Sequence, residues 1–202
     1  MKNIRIFSIK GSIIQANAKN TAHGQPEIGG LVRRATDGDA DAFGDLYGVY
    51  LDSIYRYVFY HIRDKMIAED ITQEVFIKAW KAIGSCKGRE QTFSAWLYRI
   101  AHNQVVDELR RTQRRPAIEI TAESLPGNSD VEKDTEVKLE WEQTLETISY
   151  LPEKQRQVII LKFIEGMDNR EIEQVTGSSQ NAIRVLQMRA LNTLRQQMHK
   201  ET

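Results

Sequence analysis

The sequence predicts an all-α protein made of two small helical domains that are joined by a flexible acidic linker. Apolar residues recur with the period of an α-helix over residues 31–111 and again over 137–198, and no strand-like alternation of comparable length competes with them. Over residues 112–135 this periodicity is lost, and Pro116, Pro126 and an excess of acidic residues are typical of a linker. These two observations together define the predicted fold class.

We expect four segments in a chain of 202 residues, which is long enough for two small domains. A mobile extension occupies residues 1–27, a first helical domain 28–113, the linker 114–136 and a second helical domain 137–202. The apolar positions of the three main predicted helices of the first domain are Phe43, Leu46, Tyr50, Ile54 and Val58; Ile67, Ile71, Val75 and Ala79; and Leu97, Ala101, Val105 and Leu109.

Composition excludes several classes of protein. With 41% hydrophobic and 28% charged residues, the chain has the composition of a globular protein, and no run of about 18 apolar residues predicts a membrane span. The N-terminus lacks the continuous apolar core of a signal peptide, so we expect a cytoplasmic protein without membrane insertion. The single cysteine, Cys86, rules out an internal disulfide, and the four histidines match no metal-ligand spacing. We therefore expect neither a metal nor another cofactor.

Charge is distributed unevenly along the chain, although 28 basic and 28 acidic residues balance overall. Residues 119–146 contain nine acidic and two basic side chains, whereas residues 89–115 contain six basic and three acidic ones. Residues 153–200 contain eight basic and five acidic side chains. Because charges act over a Debye length of roughly 8 Å, two basic segments separated by an acidic one remain compatible with a nucleic-acid partner.

In the second domain a helix is predicted to begin near Val137, with Trp141, Leu145 and Ile148 on one side. Leu151 and Pro152 open another helix, with the proline in its first turn, and this helix continues to Gly166. A short helix, a turn and a longer helix follow. Asp168 and Glu171 have the spacing of a capping box for the short helix. Gly177 suits its left-handed end, and Ser178 or Ser179 can cap the longer helix. The pattern predicts a helix-turn-helix.

The second helix of this motif is basic. From Gln180 to Lys200 it carries four Lys or Arg and no Asp or Glu. Ile183, Leu186, Ala190, Leu191 and Leu194 can pack inward, which leaves Arg184, Met188, Arg189 and Arg195 for another face. A helix-turn-helix with a positive second helix indicates DNA binding, whereas the alternative is an ordinary helix pair with solvated arginines.

One face of the first domain favours a protein partner. Asp70, Gln73, Glu74 and Ile77 are spaced i, i+3, i+4 and i+7 and therefore share one side of a helix. An isoleucine within a polar face suits binding to another protein. A simple solvated face is the alternative interpretation.

A second stripe in the first domain combines cations with an asparagine. Its members on the predicted helix are Arg99, Asn103, Asp107, Arg110 and Arg111. The glycine-bearing loop before the helix adds Lys87 and Arg89, and Phe93 lies close by. Cations can hold phosphates, rings can stack on bases and an amide can contact base edges, so the stripe can hold single-stranded nucleic acid. In the alternative interpretation, Phe93 and Trp96 belong to the core.

These motifs resemble a known family. AEDITQEVFIKAW and FSAWLYRIAHNQVVDELRR resemble region 2 of bacterial sigma factors of the sigma-70 family, and LPEKQRQVIILKFIEGMDNREIEQVTGSSQNAIRVLQMRAL resembles their region 4. The absence of domains between the two regions is similar to the extracytoplasmic-function, or ECF, subfamily. The resemblance covers residues 35–113 and 137–198, and both motifs in this order are more specific than either alone.

The resemblance implies a protein that binds core RNA polymerase, directs it to promoters and assists DNA melting, with a separate anti-sigma factor as a further partner. It assigns Asp70, Gln73, Glu74 and Ile77 to the polymerase. It assigns the second stripe to the −10 element. The residues implied at the −35 element are Lys162, Ser179, Gln180, Asn181, Arg184, Val185, Met188 and Arg189.

Within the −35 set, we expect Arg184 to contact a base because it lies near the N-terminal end of the second helix. Val185 and Met188 depart from the polar or aromatic residues that are common at their positions in the family.

Two other classes of function compete with this interpretation. A helix-turn-helix repressor or activator that is not a polymerase subunit would need a ligand domain or a phosphoacceptor domain, and the first half of the chain offers neither. An enzyme would need a catalytic set, and the sequence contains no Ser/His/Asp arrangement, metal cluster or phosphate-binding loop.

Overall fold

The computed structural model describes residues 27–88, 90–113, 146 and 148–200, without the side chains of 113 and 198–200. Every regular element in these ranges is helical, which confirms the all-α prediction. The predicted extension at 1–27, apart from Glu27, and the whole of the predicted linker at 114–136 lie outside the described residues. The same holds for Arg89 and for residues 137–145 of the predicted second domain, where its first helix was expected. None of the described helices is long and apolar enough to cross a lipid bilayer.

Four α-helices form the first half: α1 at Ile28–Thr36, α2 at Ala40–Ile62, α3 at Lys65–Ala82 and α4 at Phe93–Gln113. Their ends follow from local chemistry. The Asp39 carboxylate accepts hydrogen bonds from the first turn of α2, and Asp64 does the same for α3. Arg63, between α2 and α3, has a φ of 60° and reverses the chain direction.

The described residues of the loop between α3 and α4 include short stretches of helical structure. They are two 3₁₀ turns, Ile83–Cys86 and Glu90–Thr92. The Ile83 and Cys86 side chains are both buried and fasten the first turn to the core. Burial makes Cys86 a packing residue of this loop.

The second half contains α5 at Glu153–Ile159, a π-helical turn at Ile160–Ile164, α6 at Asn169–Thr176 and α7 at Gln180–Lys200. Pro152 lies just before α5, at its N-cap, rather than inside its first turn as predicted. The predicted continuous helix to Gly166 is interrupted by the π turn, in which the Glu165 N–H donates to the Ile160 carbonyl at 3.0 Å. Such turns have no simple sequence pattern and concentrate at functional positions.

The predicted capping of the helix-turn-helix is confirmed. Asp168 and Glu171 form a reciprocal capping box at the start of α6, and Gly177 ends this helix with a φ of 70°. Of the two candidate caps for α7, Ser179 provides the oxygen, which accepts from the Ala182 N–H at 3.3 Å. These contacts set the direction of α7 relative to α6.

The two halves are docked on one another. Buried apolar residues of α5, the π turn, α6 and α7 belong to the same continuous cluster as those of α1–α4, and α6 packs against α4. Sequence periodicity predicted two helical units but contained no signal for this contact. A second, smaller cluster joins Leu151 and Ile159 to Ala190, in the middle of α7.

A buried carboxylate lies at the centre of the docking interface. Glu165, whose side chain is 3% exposed, receives a hydrogen bond from the Tyr98 hydroxyl at 2.5 Å and is paired with Arg56 at 3.4 Å. Burial raises the pKa of this carboxyl, although Arg56 and Tyr98 oppose that rise. The charged form of Glu165 therefore depends on its two partners from the first half.

Two histidines from the first half also contact the second half. His61 Nδ1 lies 2.7 Å from the Glu153 carboxylate, and the Gln157 side chain hydrogen-bonds the His102 ring. Burial, with a further contribution from His61, lowers the pKa of His102 to about 4, so this ring is neutral at pH 7. The interface therefore combines apolar packing with several buried polar contacts.

The Glu165 environment generates a prediction about stability. Arg56→Met should lower the free energy of unfolding by about 2–3 kcal/mol at pH 7, because it leaves a buried carboxylate without its countercharge and Arg56 is itself only partly buried. Glu165→Gln should cost less than about 1 kcal/mol, because a neutral amide can still accept from Tyr98. Urea unfolding of the full chain measures both variants.

The same pair gives a pH dependence with a defined sign. A carboxyl whose folded-state pKa is raised contributes stability at low pH and loses that contribution as the pH rises through the folded pKa. The Arg56→Met deficit should therefore shrink as the pH falls from 7 toward 5, whereas the double variant with Glu165→Gln should show no such change. A deficit independent of pH would contradict a charged Glu165.

Candidate functional site

The predicted protein-binding face is exposed on α3. Asp70, Gln73 and Glu74 all reach solvent, and Ile77 is 53% exposed despite being apolar. The buried side of the same helix carries Ile71, Val75 and Ala79. The structure therefore brings the four predicted residues together on a surface that the core does not use.

An apolar groove adjoins this face, and the sequence analysis did not find it. Its walls come from α2 and α3: Phe43 packs against Trp80 with ring centroids 4.9 Å apart, and Tyr47 packs against Phe76 at 4.7 Å. Gln73 and Ile77 complete its lining. Because two helices contribute, no periodicity within one helix reveals the groove, but the exposed aromatic positions of α2 were an available signal.

The predicted nucleic-acid stripe follows the solvent side of α4. Five of its six members on this helix, Arg99, Asn103, Asp107, Arg110 and Arg111, are exposed. Two of the arginines are paired within the helix, Arg110 with Asp107 at 3.8 Å and Arg111 with Glu108 at 2.7 Å. Arg99 and Asn103, one helical turn apart, have no such pairing among the contacts of the described residues.

The loop beside the stripe presents Lys87, which is exposed and lies 3.2 Å from the Asp37 carboxylate. Arg89 lies outside the described residues. Phe93 was predicted to be available to a base, but its ring is 1% exposed. It packs against Tyr50 and Trp96 with ring centroids 5.5 and 5.6 Å away, so as folded here it supports the loop and cannot stack on a base.

The third surface is the outer side of the helix-turn-helix. Val185 and Met188 are 42% and 58% exposed, and Arg189 is exposed as well. Arg184 donates to the Asn181 side-chain oxygen at 2.9 Å, within α7.

The other predicted members of this surface have local roles. Gln180 donates to the Glu173 carboxylate of α6 at 2.9 Å, and Ser179 caps α7. Lys162 is half-buried in the π turn. In the part of the chain that the structure describes, no group of His, Cys, Asp and Glu side chains could hold a metal ion.

Comparison with known proteins identifies the family. Residues 46–115 match the family Sigma-70 region 2, and residues 141–194 match Sigma-70, region 4. The ECF RNA polymerase sigma factor SigW of Bacillus subtilis is 31% identical over 179 residues, which cover 83% of this chain and 94% of SigW. The chain belongs to the ECF family of RNA polymerase sigma factors. As a sigma factor it acts in transcription initiation with RNA polymerase.

A further relative of this sigma factor is longer. The ECF RNA polymerase sigma factor BldN of Streptomyces coelicolor is 36% identical over 168 residues, which cover 81% of the chain but only 63% of BldN. The resemblance to ECF sigma factors that the motifs predicted is confirmed by both relatives.

Solved structures support the fold of the sigma factor. CnrH, in complex with the cytosolic domain of CnrY, superposes with a TM-score of 0.67 and 24% identity, over 87% of this chain and 99% of CnrH. The sigma factor RpoE of Bartonella quintana, in complex with the anti-sigma factor NepR, superposes with a TM-score of 0.62 and 19% identity over 79% of the chain. The regular elements of the sigma factor thus follow a known arrangement.

The burial of the predicted site residues generates a stability test. Phe93→Ala should lower the free energy of unfolding by about 3–5 kcal/mol, because it removes a core ring. Asn103→Ala, on the exposed side of the same helix, should change the free energy of unfolding by no more than about 0.5 kcal/mol. Urea unfolding of both variants checks the assignment of Phe93 to the core. A loss of unfolding free energy as small as that of Asn103→Ala would contradict it and favour a place on the DNA-binding surface.

Proposed function

We propose that three separate surfaces divide the work of this sigma factor. The α3 face with its apolar groove binds core RNA polymerase, the α4 stripe holds the melted −10 element, and the outer side of α7 recognises the −35 element. The observation that carries this proposal is that the described members of the three surfaces are exposed, apart from Phe93, Lys162 and Gln180. The core uses the opposite faces of the same helices. The protein works in the cytoplasm and supplies no catalytic group.

The α3 face suits a protein partner better than solvent. Exposed carboxylates of Asp70 and Glu74 flank an isoleucine, and the groove beside them exposes parts of Tyr47 and Trp80. Contiguous exposed apolar surface with a polar rim is typical of a protein interface. By resemblance, the surface that meets it is the pair of clamp helices of the polymerase.

The α4 stripe suits single-stranded DNA. Arg99 offers a cation for phosphate, and the Asn103 amide, one turn further on, offers a donor and an acceptor for a base edge. Asp107 and Arg110 pair with one another, so they add little net charge to the stripe. Contact between this amide and the Watson–Crick edge of a base requires an unpaired base, which would place this surface at the step of DNA melting.

The α7 surface suits duplex DNA. Its capping box, left-handed glycine and serine cap are those of a helix-turn-helix, and its second helix carries arginines without a single carboxylate. We also propose a separate anti-sigma factor as a partner. The support is that CnrH and RpoE, which share the fold, were solved with CnrY and with the anti-sigma factor NepR.

Run-off transcription with core enzyme on genomic fragments tests the proposal as a whole. The chain should direct core polymerase to discrete start sites that core alone does not use. A helix-turn-helix repressor or activator that is not a polymerase subunit would bind DNA but would neither purify with core polymerase nor create start sites.

The polymerase surface has its own test. The triple variant Asp70→Ala, Gln73→Ala, Glu74→Ala should unfold with a free energy close to that of the unmodified chain and should bind core polymerase at least tenfold more weakly. Glu69→Ala is the matched control, because it removes an exposed carboxylate of the same helix about a quarter turn away. Competition for core enzyme against a labelled sigma factor measures both. Assembly at unchanged affinity would reject the surface.

The −10 surface is tested at the melting step. Asn103→Ala should reduce open-complex formation by about tenfold, in line with the 1–3 kcal/mol of a base contact, and should leave closed-complex binding nearly unchanged. Permanganate reactivity reports the open complex, and filter binding at low temperature reports the closed one. Thr112→Ala, at the exposed end of α4, is the control. Equal losses in both complexes would indicate a phosphate contact instead.

A further inference from the structure

The side of α7 that faces away from the core forms a narrow ridge. At about 100° per residue, four residues fall within about 60° of one another and lie opposite the buried Ile183 and Ala190. They are Asn181, Val185, Met188 and Asn192, and all four are exposed. The ridge is therefore the part of α7 that would enter deepest into a groove of DNA.

The centre of this ridge is apolar. Val185 and Met188 are three residues apart and adjacent on the helix surface, and 42% and 58% of their surfaces are exposed. Isolated exposed apolar residues need no explanation. Here, however, two apolar neighbours lie at the crest of this ridge, on the side of the helix that faces away from the core, and the helix carries basic residues but no acidic one. These features suit a partner that offers two apolar contacts surrounded by negative charge.

The arginines of α7 lie beside the ridge and not on it. Arg184 and Arg195 lie on one side and Arg189 on the other, each about 50–70° from the ridge centre. The Arg184 guanidinium is also held by the Asn181 side chain at 2.9 Å. A helix seated in the major groove directs its crest at the base edges and its flanks at the two phosphate walls.

We propose that α7 recognises thymine through Val185 and Met188, which contact the C5 methyl groups in the major groove, while Arg184, Arg189 and Arg195 contact phosphates. The proposal rests on the proposed −35 function of α7 and replaces the expectation that Arg184 contacts a base. Thymine alone among the four bases carries an apolar group on its major-groove edge. The apolar crest thus accounts for specificity, and the arginine flanks account for affinity.

Charge favours DNA over a protein as the occupant. From Gln180 to Lys200 the helix has four basic residues and no acidic one, and its apolar crest is only two side chains wide. A protein interface of ordinary stability buries about 800 Å² on each partner, far more than two side chains supply. The spacing of Val185 and Met188, about 4.5 Å along the helix axis, is comparable to the separation of neighbouring base pairs.

The experiment removes single methyl groups from the DNA. Holoenzyme containing the full chain first selects its −35 sequence from a library randomised in that element. Each thymine of the selected duplex is then replaced by deoxyuridine, which keeps the base pair and loses only the C5 methyl group. Affinity should fall about fourfold at one or two positions, as burial of one methyl group implies, and should not change at the others.

Protein variants assign the contact. Val185→Ala or Met188→Ala should abolish the thymine-to-deoxyuridine difference at its own position and leave the other position unchanged. Arg195→Ala is the matched control: it should weaken thymine and deoxyuridine duplexes equally and lower the salt dependence of binding. Arg184→Ala should behave like this control.

Three results would overturn the inference. The selected −35 element could contain no thymine, or deoxyuridine replacement could leave the affinity unchanged at every position. The affinity difference between thymine and deoxyuridine duplexes could also persist in both Val185→Ala and Met188→Ala. Loss of preference at a single base in Arg184→Ala would return base contact to this arginine and would also count against the phosphate assignment. Failure of the holoenzyme to select any DNA would instead reject the proposed function itself.

Discussion

The placement of Glu165 is the constraint on which the arrangement of the two halves depends. Its carboxylate is almost fully buried, and both of its partners, Arg56 and Tyr98, come from the first half. Removing a charge from water costs several kcal/mol and is offset only by well-placed partners. The docked arrangement thus requires the second half to sit where these partners reach Glu165. The apolar cluster that runs through both halves supplies the favourable free energy, and the buried polar contacts select one docking geometry.

Docking divides α4 between two roles. Tyr98 and His102 face the second half, whereas Arg99 and Asn103, each the next residue along, face solvent. Neighbouring residues on a helix point about 100° apart, so a single helix can hold the interface and present the proposed DNA-binding stripe at once. His102 is neutral at pH 7, which fits its place in the interface. Its hydrogen-bond partner Gln157 is uncharged and could not compensate a protonated ring.

Local patterns predicted what local chemistry determines. The spacing of the apolar residues predicted the helices, and Asp168, Glu171 and Gly177 predicted the two ends of α6. Helix periodicity and capping could be predicted because each depends on residues only a few positions apart. The docking interface was not predictable in this way: Arg56 and Glu165 are 109 positions apart, and His61 and Glu153 are 92 apart. Phe93 was assigned to the DNA surface from its place beside a basic loop and from the family resemblance, with the core as the alternative. A ring in that position suits either role, and only packing distinguishes the two.

The π turn brings Glu165 into the docking interface, just before the helix-turn-helix. It accommodates one residue more than an α-helical turn, so the residues after it are rotated by about 100° relative to a continuous helix. Glu165 follows directly and turns inward to Arg56, while Phe163 within the turn is 38% exposed. Asp168, three residues later, then starts α6. Gly166, whose φ is 73°, and Met167 then separate the turn from the capping box of α6. Without the extra residue, Glu165 would point about 100° away from Arg56, so the contact between the two halves depends on this local insertion.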